Sequence, residues 1–196
     1  MNILDFKISS RKIVEKFSRK RHNYKSIIIS ITDKKCNYPQ ISFNPQFNGI
    51  QEVCFLKFND VSKVQPNFIT RKDAQKIVAF VKKYEKSDID TIIVHCEVGV
   101  SRSAGICAAI LKYFNRDPRL IFSNPKYKPN IGCYEMVCES FGLKPSKKEL
   151  SELQRLHNDV WNDKTWTEKI EFCVRALQSS NLSHFSRQIK IRKSKY

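Results

Sequence analysis

The stretch Thr91-Ile92-Ile93-Val94-His95-Cys96-Glu97-Val98-Gly99-Val100-Ser101-Arg102-Ser103-Ala104 decides how this chain folds. Its first four residues form a short, continuous, β-branched run, the pattern of a strand covered on both faces. Ala104 to Phe114 is apolar nearly all round, as expected of a helix buried behind a sheet. Between them Cys96 and Arg102 stand six positions apart, and none of the other six cysteines has an arginine at that offset. A chain that leaves a strand and enters a helix turns sharply, so successive backbone N–H groups point into one concavity. With the helix N-terminal dipole, such a nest is an anion site of phosphate size. Gly99 permits backbone angles that a side chain would resist.

Each residue type in this loop has a chemical reason. Inward N–H donors, a helix N-terminus and Arg102 all favour the thiolate of Cys96, which makes its sulfur nucleophilic at neutral pH. The planar fork of Arg102 grips two phosphate oxygens and follows them into a trigonal-bipyramidal transition state. Ser103 donates to the sulfur as it leaves. His95 fixes the loop and helps hold the thiolate charge, rather than serving as acid or base for the substrate. Glu97, Val98, Gly99, Val100, Ser101 and Arg102 supply the phosphate-binding rim. The chemistry calls for no metal and no cofactor, and the sequence has no Gly-x-x-x-x-Gly-Lys or Gly-x-Gly-x-x-Gly loop.

Working outward, Ser26 to Thr32 reads as a buried strand and Val53 to Phe58 as another. Thr70-x-x-Asp73 is a helix start, and Ala74, Ile77, Val78, Val81 and Tyr84 then follow at helical spacing. Ile131 to Phe141 is a further helix. The expected class is α/β, a central and mostly parallel sheet flanked by helices. Beyond Pro145 the character shifts to two amphipathic helices, Lys147 to Asn162 and Thr165 to Leu177, the first with Leu150, Leu153, Leu156 and Val160 on one face. The division expected is a catalytic domain over 1–145, a helical extension over 146–182 packing on or beside it, and a basic tail over 183–196.

The segment from His95 to Ser103 resembles the signature of the protein tyrosine phosphatase superfamily: His, Cys, five residues, Arg, then Ser or Thr. It is most similar to the compact dual-specificity branch, whose members often carry Gly three residues after the Cys and a Ser-Arg-Ser ending. The resemblance is strong over Thr91 to Ile110, fair from Ile27 to Asn130, and fades beyond Leu143. It implies a dual-specificity phosphatase-like fold and hydrolysis of phosphotyrosine, with phosphoserine and phosphothreonine as further substrates, through a phosphocysteine. It also implies an aspartic acid some three dozen residues before the Cys, which protonates the leaving oxygen and later activates water. Asp60, 36 positions before Cys96, is the best match, with Asp33 the second choice. Asp73 is used by a helix start, and Asp88 and Asp90 by the turn into the Thr91 strand. Pro129-Asn130 matches a pair that, in the resembling family, packs the segment closing over the core, though an ordinary surface loop explains it equally well. Tyr127 nearby is a candidate for the substrate mouth. Other readings stay open: an RNA 5′-triphosphatase, a catalytically silent phosphate-binding module, and a sulfurtransferase or reductase. The last would need a resolving thiol, for which Cys107 on the buried helix is poorly placed.

The chain carries a net charge of +17. Such a field attracts phosphorylated partners, nucleic acid and anionic membrane surfaces alike, and the charge is concentrated in Arg19-Lys20-Arg21-His22 and in the tail Arg187 to Lys195. Glu97, Val98 and Val100 stand in the loop in place of lysines, which argues against a highly charged head group as substrate. Seven cysteines without the spacing of a zinc site fit a reducing compartment with free thiols. With no secretory leader and no apolar run of membrane length in view, a cytoplasmic address is expected.

Overall fold

Parallel pairing dominates the molecule, and the computed structural model describes residues 5–61 and 68–163 together with Thr165 and Glu168. In chain order the elements are β1 (Asp5–Ser10), α1 (Arg11–Ser18), β2 (Ser26–Thr32), α2 (Pro45–Asn48), β3 (Ile50–Lys57), α3 (Arg71–Tyr84), β4 (Thr91–Cys96), α4 (Arg102–Tyr113), α5 (Arg119–Phe122), α6 (Ile131–Ser140) and α7 (Lys147–Asn162). The four strands form one sheet in the order β1-β4-β2-β3, parallel throughout. The chain is thus of the α/β class expected.

The sheet is covered on both faces, which explains why β2 and β4 read as unbroken apolar runs. Ile27, Ile29, Ile31, Ile92 and Val94 join the main core with residues of α3, α4 and α6. Ile28, Ile50 and Ile93 point the other way and pack with Val14 of α1. Thr70 caps α3 in a reciprocal capping box with Asp73, as its spacing suggested. Asp88 pairs with Lys25, and Asp90 accepts from the Lys25 amide at 2.7 Å, so both belong to the approach to β4.

Two element starts differ from the sequence reading, and two elements are new. The second expected strand begins earlier, at Ile50, because its first residues pair with Ser26 and Ile27 across a bulge. The helix after the loop begins at Arg102 rather than Ala104. β1 and α1 were not anticipated at all. β1 exists through its register with β4, from Asp5 opposite Thr91 to Ser10 opposite Cys96. Ser10 then caps α1, its hydroxyl accepting from the Ile13 amide. At the other end α7 packs on α5 and α6, burying Leu153 and His157. Glu149 of α7 accepts from Tyr134 Oη at 2.6 Å and pairs with Lys112, tying it to α6 and α4. The second amphipathic segment, Thr165 to Leu177, and the basic tail lie outside the described residues apart from Thr165 and Glu168.

Candidate active site

The carboxyl ends of the strands bring the site together. α1 leaves β1 on one face of the sheet and α4 leaves β4 on the other, so a crevice opens at their shared end. The loop from Glu97 to Ser101 fills it. Cys96, the last residue of β4, is 1% exposed. Its Sγ accepts from the Gly99 amide at 3.2 Å and lies 3.2 Å from Ser103 Oγ. Among the described residues, the amides of Val98, Val100 and Ser101 donate to no other group of the chain. Such donors at a helix N-terminus suit an anion.

Gly99 is held at φ +79° against β1. A Cβ there would lie 2.4 Å from the carbonyl carbon of Ser9 and 2.6 Å from the nitrogen of Ser10. The unanticipated N-terminal elements therefore form one wall of the loop. Arg11 completes it: its amide donates to the Glu97 carbonyl at 3.3 Å, and its Nη1 pairs with Glu97 Oε1 at 3.2 Å. Burial pushes the Glu97 carboxyl up and Arg11 opposes that rise.

Arg102 sits at the first position of α4 and is 3% exposed. One edge of its guanidinium is committed, with Nη1 donating to the Phe58 carbonyl at 2.6 Å and pairing with Asp33 Oδ1 at 2.6 Å. Nε has no hydrogen-bond partner despite its burial. Burial works against the positive charge, but Cys96, Asp33 and Asp60 together outweigh it and raise the pKa. A buried guanidinium edge left unpaired beside a sulfur and open amides is an arrangement for gripping an oxyanion.

Asp60 follows β3 and stands at the rim. Its Oδ1 accepts from Ser101 Oγ at 2.8 Å and from Asn130 Nδ2 at 3.0 Å, and its Oδ2 lies 4.0 Å from Arg102 Nε. Asp33, the second candidate, sits instead against Arg102. Asn130 is a hub: it also donates to the Val61 carbonyl at 2.9 Å and caps α6 through the Cys133 amide. Its backbone amide donates to the Ser101 carbonyl, while Lys128 donates to that of Val100. Gly105 allows this close approach, since a Cβ there would lie 2.3 Å from the Asn130 carbonyl oxygen.

His95 is the penultimate residue of β4. The ring is fully buried, with Nδ1 3.4 Å from the Cys96 carbonyl. Burial pulls its pKa down to about 4, so it is neutral at pH 7 and adds no positive charge beside the sulfur. Cys107 is buried too, and its thiol is pushed up to about 12.

No protein-family model and no curated protein matches the sequence. Several solved structures are similar to it. One is the core catalytic domain of the PP-IP phosphatase SIW14 from S. cerevisiae in complex with citrate, at 17% identity over 82% of this chain and 93% of that one, with a TM-score of 0.40. Another is human DUSP28, at 13% identity over 81% and 95%, TM-score 0.39. A third is PTPMT1 in complex with PI(5)P, at 20% identity over 70% and 79%, TM-score 0.34. These likenesses are distant, and the chemistry below rests on the site's own geometry.

What sequence reading missed at the site is Arg11, the Ser9–Ser10 wall and the Phe58 carbonyl. The first two belong to elements stabilised by distant pairing. The third is a backbone group with no side-chain signature. Asn130 carried a signal, the pair Pro129-Asn130, but not its bond to Asp60.

Proposed function

We propose that this chain is a cysteine-dependent phosphatase that hydrolyses phosphate monoesters, phosphotyrosine foremost with phosphoserine and phosphothreonine beside it, through a phosphocysteine on Cys96. The observation that carries the reading is the buried, half-unpaired guanidinium of Arg102 over a sulfur that already accepts from Gly99. The substrate phosphoryl group sits in the bowl of loop amides, two of its oxygens against Arg102. The Cys96 thiolate attacks phosphorus as the ester P–O bond breaks, and Asp60 gives its proton to the departing oxygen. Asp60, now a carboxylate, takes a proton from the water that attacks phosphorus next. The P–S bond breaks, phosphate leaves, and Ser103 donates to the freed sulfur. Asp33 acts as the counter-ion that aims Arg102, which is why the acid role falls to Asp60.

A silent phosphate-binding module would be favoured by a missing acid, but a carboxylate stands at the rim. The deciding experiment is p-nitrophenyl phosphate turnover with chelator present. Cys96→Ser should be inactive yet still bind vanadate. Asp60→Asn should fall about 10²-fold or more in kcat. Undiminished turnover by Cys96→Ser would remove the mechanism. A panel of phosphotyrosine peptides, phosphoserine peptides and triphosphorylated RNA ranks the substrates.

A further inference from the structure

The basic cluster Arg19-Lys20-Arg21-His22 is left unused by the active site, and it lies at the opposite end of the sheet. The phosphate loop stands at the carboxyl ends of the strands, whereas this cluster precedes Ser26, where β2 begins. Seven strand residues separate the two ends, a rise of about 20 Å.

Two exposed aromatic side chains share this end. Phe43 is 55% exposed and Phe47 46%, on and beside the single turn α2. The turn is firmly built. Asn44 caps it, its Oδ1 accepting from the amides of Gln46 and Phe47, and Pro45 opens it. It is also fastened to the cluster. The Asn48 side chain donates to the Ser18 carbonyl at 2.6 Å and to the Ser42 carbonyl at 2.8 Å. The Ser42 amide donates to Ser18 Oγ at 3.0 Å. Arg19 and Phe43 are thus the immediate chain neighbours of residues bonded to each other.

Lys16, Arg19, Lys20 and Arg21 are all exposed. Neither 16–25 nor 40–51 contains an aspartate or glutamate, and the acids nearby are engaged: Glu15 pairs with Arg11, Asp88 pairs with Lys25, and Asp90, which lines a cleft with Asp88 and Pro45, accepts from the Lys25 amide. Exposed phenylalanines with no polar tip, beside cations that outnumber the acids around them, match one kind of surface: acyl chains under anionic head groups. A base-stacking platform fits less well. The aromatic rings closest to the cations in sequence, His22 and Tyr24, are engaged with Phe17, His22 stacking on it at 3.8 Å, and His22 also bonds the Phe17 carbonyl. Phe43 and Phe47 lie beside and on a helical turn, not on a sheet face.

We propose that this end of the molecule is a peripheral docking surface for anionic bilayers, with Phe43 and Phe47 entering the interface and Lys16, Arg19, Lys20 and Arg21 resting on the head groups. Docking in this way turns the phosphate loop away from the bilayer, toward phosphorylated groups carried on proteins. The proposal stands on the patch alone and does not depend on the catalytic reading.

The test is co-sedimentation of the full chain with vesicles of pure phosphatidylcholine and of phosphatidylcholine with about one-third phosphatidylserine, at near-physiological salt. Wild type should bind the second and not the first. Phe43→Ala with Phe47→Ala keeps every charge and should weaken binding about tenfold or more. Arg19→Glu with Lys20→Glu should abolish it. Circular dichroism and p-nitrophenyl phosphate turnover, unchanged in all variants, show that the fold persists. Three results overturn the proposal: no preference for the anionic vesicle; the Phe43 and Phe47 variant binding as tightly as wild type, which would place the contact in another basic segment; or a single-stranded RNA displacing the vesicles and showing the same dependence on Phe43 and Phe47, which would make the patch a nucleic-acid surface.

Discussion

Gly99 is held in left-handed backbone against a wall of other backbone atoms. A methyl group at that position meets Ser9 and Ser10 at 2.4 to 2.6 Å, and neither can rotate away. Gly99→Ala therefore combines a strained φ with a forced displacement of the loop from β1. We expect a loss of about 1–3 kcal/mol in stability, read as a melting temperature lower by several degrees, and a fall in kcat/KM well beyond what the melt explains. A variant with native turnover would mean the loop tolerates another seat. His95 makes a second prediction at this scale. Its pKa is about 4 in the fold against an ordinary value of 6.5, so the unfolded chain binds the extra proton between those limits. Stability contributed by the neutral ring is intact above pH 6.5 and is lost as pH falls toward 4, about 3 kcal/mol in all. Urea melts from pH 7 down to pH 4.5 should show this slope in wild type and a shallower one in His95→Asn. Equal slopes would mean that other groups carry the acid sensitivity.

Elements differ in how openly they are written in the sequence, and the difference follows where their stability comes from. β2, β4 and α7 carry unbroken apolar runs or a clear amphipathic face, so Ser26–Thr32 and Lys147–Asn162 were legible to the residue. The cap of α3 was legible because Thr70 and Asp73 are local partners. β1 was not, since only Ser9 and Ser10 of its six residues are buried and its hydrogen bonds run to a strand some 86 positions away. In the candidate site the same rule holds. Cys96, Gly99, Arg102 and Ser103 are adjacent in sequence, whereas Arg11 and Asn130 reach the loop only through the fold. Both can be tested. Asn130→Ala removes the α6 cap, at a cost of about 1 kcal/mol, and frees Asp60 from one of its two bonds. Asn130→Asp keeps a competent cap but sets a second carboxylate beside Asp60. If the bond to Asp60 matters to proton transfer, kcat falls in both variants by more than their loss of stability explains. Arg11→Met leaves Glu97 buried without its ion-pair partner, so KM for p-nitrophenyl phosphate should rise and the melt should fall. Adding Glu97→Gln should restore part of both. A double variant no better than the single one would separate Arg11 from the loop.

At the scale of the whole molecule, a parallel sheet with helices leaving both faces collects groups from distant parts of the chain at one edge. Arg11, Asp33, Phe58, Asp60 and Cys96 all stand at or just past the ends of strands. The chain as a whole carries a net charge of +17, which gives it a long-range attraction for anions. A dianionic phosphate ester is drawn toward such a molecule before any contact forms, and salt screens that attraction over a Debye length that shrinks from about 20 Å to about 6 Å between roughly 20 and 300 mM. Arg102 acts at hydrogen-bond range inside a buried site, where added salt screens little. The two contributions should therefore separate in kinetics. For a phosphotyrosine peptide, kcat/KM should fall about tenfold across that salt range while kcat changes less than about twofold. Replacing the peptide by one with several lysines should flatten the dependence, because the long-range attraction is then offset by repulsion. If instead kcat falls in parallel with kcat/KM, salt is acting on the bound state, and the charge of the molecule at large is not what brings the substrate in.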